Sequence, residues 1–128
     1  KSKGENRIEK YLTNNNYDYV DEYSFDDCKS PKNASLRFDF KVKHKNKIIL
    51  IEYNGIQHYK KQKWFYNSKQ DFNYRRKCDQ IKRDYCKSKN DLKLLEIGYW
   101  QFDNIDEILD KVLKQDKDNY KTEQLSLL

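Results

Sequence analysis

KIILIEYNGIQHY, residues 47–59, decides how this chain folds. The unbroken apolar run Ile48 to Ile51 implies a strand covered on both faces, hence central in its sheet. Glu52 ends the run. Asn54-Gly55 is a turn signal, and Gln57 and His58 follow it. Just upstream, LRFDFKVK (residues 36–43) alternates strictly. Leu36, Phe38, Phe40 and Val42 face one way in that pattern, and Arg37, Asp39, Lys41 and Lys43 the other. The polar turn at 44–46 makes the two runs a hairpin and makes His44 a surface residue. Two acids, Asp39 and Glu52, then stand on adjacent strands, with an amide and an imidazole past the turn. That set suggests a place for a metal ion and a phosphate.

Outward from the hairpin, residues 3–15 read as a helix, with Ile8, Tyr11 and Leu12 on one face. Glu5 lies in its first turn, on the same side, where a carboxylate also favours the helix dipole. Residues 17–25 read as a strand. Residues 26–35, which hold the single proline, Pro31, read as a loop. Residues 54–67 form a loop rich in lysines and aromatics. A long helix runs from Ser68 to about Lys89, with Asp71 completing half a capping box. Its apolar line is Tyr74, Cys78, Ile81 and Tyr85. A further apolar strand spans 92–99, and Asn104 caps a last helix that buries Ile105, Ile108, Leu109, Val112 and Leu113. A long helix between two strands is a parallel crossover beside a hairpin. The expected fold is therefore α/β: a mixed central β-sheet flanked by α-helices, in one domain over residues 1–114, with a polar tail at 115–128. Because the first residue is Lys, the sequence reads as part of a longer protein.

Composition points to the partner. Of 128 residues, 38% are charged and only 36% hydrophobic, so 19 aromatics, 11 of them Tyr, must supply much of the core. The formal net charge is +6, yet residues 60–89 alone carry 11 Lys/Arg against three Asp/Glu, so the rest of the chain is slightly acidic. Such concentration beside an acid pair favours a polyanion over a merely solvated face. The three cysteines, Cys28, Cys78 and Cys86, lack zinc-ligand spacing and read as reduced thiols in a cytoplasmic compartment. No apolar run approaches membrane-spanning length, and there is no signal peptide, nucleotide-binding glycine loop, or serine or thiol nucleophile constellation.

Phosphodiester hydrolysis needs a polarising cation, an oriented water and positive charge to offset the developing anion. Mg²⁺ takes oxygen ligands, typically one or two carboxylates plus water and phosphate. Asp39 and Glu52 supply two carboxylates, and Glu5 a third or an orienting group. Asp79 and Lys82, at i and i+3, share a helical face and can form a plain surface pair. If that face looks at the hairpin, Lys82 reaches the scissile phosphate. Lys60, Lys61, Lys63, Arg75, Arg76 and Arg83 are candidate backbone contacts, and the loop aromatic Trp64, with Phe65 and Tyr66, can stack on bases.

Taken together, Gly4-Glu5-x-x-Ile8, Arg37-Phe38-Asp39-Phe40, Ile51-Glu52-Tyr53-Asn54-Gly55-Ile56-Gln57-His58-Tyr59 and Asp79-x-x-Lys82-x-x-Tyr85-Cys86 resemble the PD-(D/E)XK, or restriction-endonuclease-like, superfamily. The likeness is to its branch of very-short-patch-repair (Vsr-like) and phage homing-type endonucleases, and it runs to about Leu113. It implies Mg²⁺-dependent cleavage of DNA, with Mn²⁺ as a substitute, in the cytoplasm or, for a phage protein, the host-cell cytoplasm. By position, Asp39 and Glu52 would be metal ligands, with the Tyr53 carbonyl as a third. Glu5 would be the first-helix acid, and His58 with Gln57 would assist the water or the leaving group. Two positions depart from the pattern: Phe38 stands where the motif has Pro, and Asn54 where it has Lys. The lysine's role would fall to Gln57, His58 or Lys82. Relatives often carry an upstream DNA-reading module. A non-catalytic nucleic-acid-binding module of the same fold, and a nuclease acting on RNA or branched DNA, are the alternatives.

Overall fold

The apolar run at 48–51 does form a central strand. The computed structural model describes residues 1–56 and 69–114. Among these, the elements in chain order are helix α1 (Lys3–Asn14), strands β1 (Tyr19–Lys29), β2 (Ser35–His44) and β3 (Lys47–Asn54), helix α2 (Lys69–Lys87), strand β4 (Leu92–Gly98), a 3₁₀ helix (Tyr99–Asn104) and helix α3 (Ile105–Leu113). The sheet order is β1-β2-β3-β4. The first three strands form an antiparallel meander, and β4 returns parallel to β3 after α2. The fold is thus α/β, a four-stranded mixed sheet with helices on its faces.

Alternation along β3 and β4 divides the core in two. Ile49, Ile51, Leu95 and Ile97 pack with Ile8 and Leu12 of α1 and with Ile105, Ile108, Leu109 and Val112 of α3. On the other face Leu50, Leu92 and Leu94 pack with Cys86, Ile81 and Tyr85 of α2. Cys28 joins this second cluster, and burial raises both thiols, Cys86 to about 12. They stay protonated and are not nucleophiles at neutral pH. Among the described residues no helix is long and apolar enough to cross a membrane.

Several sequence expectations need correction. Strand β1 extends to Lys29, so residues 26–29, read as loop, belong to the sheet. A register shift after Ser24 lets the strand resume opposite Ser35, and Tyr85 of α2 donates a hydrogen bond to Asp27 (2.5 Å). The turn shrinks to 30–34, where the Ser30 hydroxyl accepts from the N–H groups of Lys32 and Ala34. His44 is no surface residue: it is 8% exposed, edge-on to Tyr17 (6.3 Å between centroids). Strict alternation in β2 also fails, because Phe38 joins the cluster on the α2 face while Phe40 and Val42 join the opposite one.

Helix α1 begins with a capping box that sequence reading missed. The Ser2 Oγ accepts from the Glu5 N–H (3.2 Å), and the Ser2 N–H donates to Glu5 Oε1 (3.3 Å). Gly4 matters for space rather than for φ: a Cβ there would lie 2.2–2.4 Å from the Tyr53 ring. Gly4→Ala is therefore expected to destabilise the fold by roughly 1–3 kcal/mol, the usual cost of overpacking. Urea denaturation measures it, and an unchanged midpoint would show that the Tyr53 ring moves aside freely.

Candidate active site at a fork in the sheet

The β2–β3 ladder runs from His44–Lys47 to Phe40–Ile51. One step further, the same register sets Asp39 opposite Glu52. Here the strands fork, and side chains take the place of main-chain partners. The Asp39 N–H donates to Glu52 Oε1 (2.9 Å), and the Tyr53 N–H donates to Asp39 Oδ2 (2.8 Å). Each acid thus satisfies a backbone donor of the other's neighbourhood through a charge-assisted hydrogen bond. On the β1 side, Glu22 falls between the pairs Asp21–Phe40 and Tyr23–Phe38 and has a φ of +51°. The positive φ of Glu22 on one side and the end of the β2–β3 ladder on the other coincide with the parting of Phe38 and Phe40 to opposite faces.

Helix α2 closes the fork from above. The Lys82 ammonium donates to Glu52 Oε2 (3.0 Å) and sits 5.3 Å over the Phe38 ring. Glu52 is only 7% exposed. Burial pushes its carboxyl up to about 7; the charge of Asp39 adds to the rise, and Lys82 and the Asp39 N–H oppose it.

A fourth acid escaped sequence reading. The β3–β4 register pairs Glu52 with Glu96, because both strands read as an apolar stretch closed by Glu. Like charges side by side repel. Consecutive residues of α2 answer them: Lys82 pairs with Glu52, while Arg83 grips Glu96 through two bonds of 2.8 Å. The Asn54 Nδ2 also donates to Glu96 Oε1 (3.3 Å). So the position where the superfamily pattern has lysine is an amide facing an acid already held by arginine. The strand LKLLEIG carried the same signal as LIE in β3, an acid inside an apolar run.

The fork opens into a cleft of about 620 Å³. Glu5, Glu22, Asp39, Glu52, Asp71 and Asp79 line it, against Arg37, Arg75 and Lys82. Glu22 holds Arg37 at 3.0 Å. Of the residues singled out from the sequence, Asp39, Glu52, Glu5, Lys82, Arg75 and the Tyr53 main chain therefore converge. Tyr53 contributes its N–H here. Arg76 lies 5.8 Å over the Phe72 ring, and Arg83 is engaged by Glu96. Gln57, His58, Lys60, Lys61, Lys63 and Trp64 lie outside the described residues.

Chemically, the cleft offers hard oxygen donors in excess of cations. A phosphate would meet net repulsion there unless a cation entered first. Among the described residues no group of three His, Cys, Asp or Glu forms a ready-made metal cage. Two carboxylates are nonetheless the donor set that suits Mg²⁺ or Mn²⁺, which keep water in the remaining positions. Compared with models of known protein families, with curated proteins and with solved structures, the chain matches none.

Proposed function

We propose that this chain is a metal-dependent DNA endonuclease domain of PD-(D/E)XK type, in the Vsr-like or phage homing-type branch. The observation that carries this reading is the fork itself: Asp39 and Glu52 face each other at the end of a ladder, with Lys82 3.0 Å from Glu52 and an acid-rich cleft around them. Asp39 and Glu52 would hold Mg²⁺ or Mn²⁺, with the Tyr53 carbonyl as a third ligand. When bound, the ion supplies positive charge at the scissile phosphate and acidity to a water. Lys82 brings a fixed ammonium beside that phosphate and offsets its developing charge. Glu5 orients water from the helix start. His58, with Gln57, serves as general acid/base. Arg75, Arg76, Lys60, Lys61 and Lys63 grip the backbone of the duplex, and neutralising several phosphates makes the grip salt-sensitive.

The test is conversion of supercoiled plasmid to nicked or linear DNA in Mg²⁺ or Mn²⁺, and its loss on adding EDTA. One observation favours a second reading. Glu52 is already satisfied by Lys82 and by the Asp39 N–H, as it would be in a non-catalytic nucleic-acid-binding module. Salt-sensitive DNA binding without cleavage in any divalent ion would establish that reading in place of the first. RNA and branched DNA in the same assay separate the remaining substrates.

A further inference from the structure

The acids at the fork belong to a row that crosses the whole sheet. Asp21 pairs with Phe40 and Tyr23 with Phe38, so the β1–β2 register sets Glu22 opposite Asp39. Asp39 stands opposite Glu52, and Glu52 pairs with Glu96. Each of the four strands thus gives one carboxylate to the row. Adjacent like charges repel, and cationic side chains answer them. Arg83 holds Glu96 through both Nε and Nη2, and Lys82 holds Glu52. At the β1 end Arg37 holds Glu22 (3.0 Å).

Arg37 differs from the other two cations. The side chains of Lys82 and Arg83 are 14% and 38% exposed, whereas that of Arg37 is 67% exposed. Its bond to Glu22 uses Nη1. The other edge of the guanidinium, Nε with Nη2, has no acceptor among the described residues. This is the edge by which Arg83 takes both oxygens of a carboxylate, and the same fork matches two oxygens of a phosphate. Arg37 and Glu22 line the cleft together with Asp39 and Lys82. Glu22 reaches this position with a φ of +51°, a backbone region that residues bearing a side chain rarely adopt and that is often kept at functional sites. Two strand spacings, roughly 10 Å, separate Glu22 from Glu52 along the row. A single phosphate does not span that distance. While each cation keeps its acid, Arg37 and Lys82 therefore meet different phosphates.

We propose that Arg37, held by its pair with Glu22, grips a backbone phosphate of the nucleic acid next to the one to be cut. This rests on the nuclease reading above and adds a substrate contact on the β1 side of the acids. The contact reads no base, so it sets where the strand lies in the cleft rather than which sequence is taken.

A fluorescein-labelled DNA duplex is titrated with the protein at a fixed Ca²⁺ concentration and a series of KCl concentrations, following anisotropy. Each phosphate neutralised contributes about 0.9 to the slope of log affinity against log salt. Arg37→Gln is expected to weaken binding about tenfold and to lower that slope by about 0.9. Arg37→Lys should keep the slope and lose part of the affinity, because an ammonium keeps the charge without the fork. Arg37→Gln also releases the Glu22 carboxylate into the cleft. The double variant Arg37→Gln/Glu22→Gln removes that charge too, and the lowered slope should persist in it. Arg37 is exposed, so these variants should fold, and their urea midpoints check it. An unchanged slope in Arg37→Gln overturns the contact, whatever the affinity does, and leaves the nuclease reading to the plasmid assay. The expected slopes in a protein that cuts no plasmid in any divalent ion overturn the nuclease reading and leave Arg37 as a phosphate contact. Absence of duplex binding by the wild-type chain overturns the two together.

Discussion

Asp39→Asn is expected to end metal-dependent plasmid cleavage, with a loss on the order of 100-fold or more. The substitution removes one of the two carboxylates proposed to hold the cation, and with it the charge that draws the ion into the cleft. It keeps an oxygen where Asp39 Oδ2 now accepts from the Tyr53 N–H (2.8 Å), so the fork should survive. Asp39→Ala removes both. It should lose cleavage equally and in addition lose stability by roughly 1–3 kcal/mol, because the partly buried Tyr53 N–H loses its acceptor. Comparing the two variants in cleavage assays and in urea separates chemistry from folding. Undiminished cutting by Asp39→Asn would remove Asp39 from the mechanism.

Lys82→Met should destabilise the protein by about 3 kcal/mol at pH 8, since it strands a buried carboxylate. The loss should fall below half that at pH 5.5. The sign follows from Glu52. Its carboxyl has an ordinary value of 4.5 and is pushed up to about 7 by burial. Between those limits the folded protein keeps a proton that the unfolded chain releases. The group therefore favours the fold at low pH, and this contribution is lost as pH rises toward 7. Removing Lys82, which opposes the shift, extends the window upward. Glu52 then holds its proton at pH 5.5 and costs little, but at pH 8 it must either take up a proton that the unfolded chain lacks or ionise unpaired beside Asp39. Urea midpoints at the two pH values test this, and an equal loss at both would mean that Glu52 is not the group responsible.

Much of the fold could be read from the sequence because the decisive elements carry their own periodicity. The run 48–51, the helical face of Ile8, Tyr11 and Leu12, and the stripe from Ile105 to Leu113 are all buried as the pattern requires. The pairing of Asp39 with Glu52 was legible for the same reason, since a hairpin register follows from its turn. What was hidden depended on neighbours distant in sequence. The parting of Phe38 from Phe40 coincides with the positive φ of Glu22, 16 residues before Phe38, and with the end of the β2–β3 ladder. His44 is buried only because Tyr17 reaches it. The role of Glu96 emerges when β4 returns beside β3. Tyr99, read as the end of the last strand, instead begins a 3₁₀ helix over Tyr99–Asn104 pinned by Gln101, whose Oε1 accepts from the Gly98 N–H (2.9 Å).

The sheet order has a consequence in time. Strands β1, β2 and β3 are consecutive and joined by short turns, so they can assemble from contiguous chain. Strand β4 must return across residues 55–91, and closing so long a loop is entropically slower. Asp39 and Glu52 come together in the first assembly, whereas Lys82 and Arg83 arrive with the second. For an interval the meander carries its acids without the cations that later answer them. Refolding of the wild-type chain should accordingly quicken as the pH is lowered from 8 to 6, because burying Glu52 during docking is easier once it takes up a proton. Stopped-flow refolding across that range would show it, and a rate that stays flat would place docking of α2 before the acids are buried.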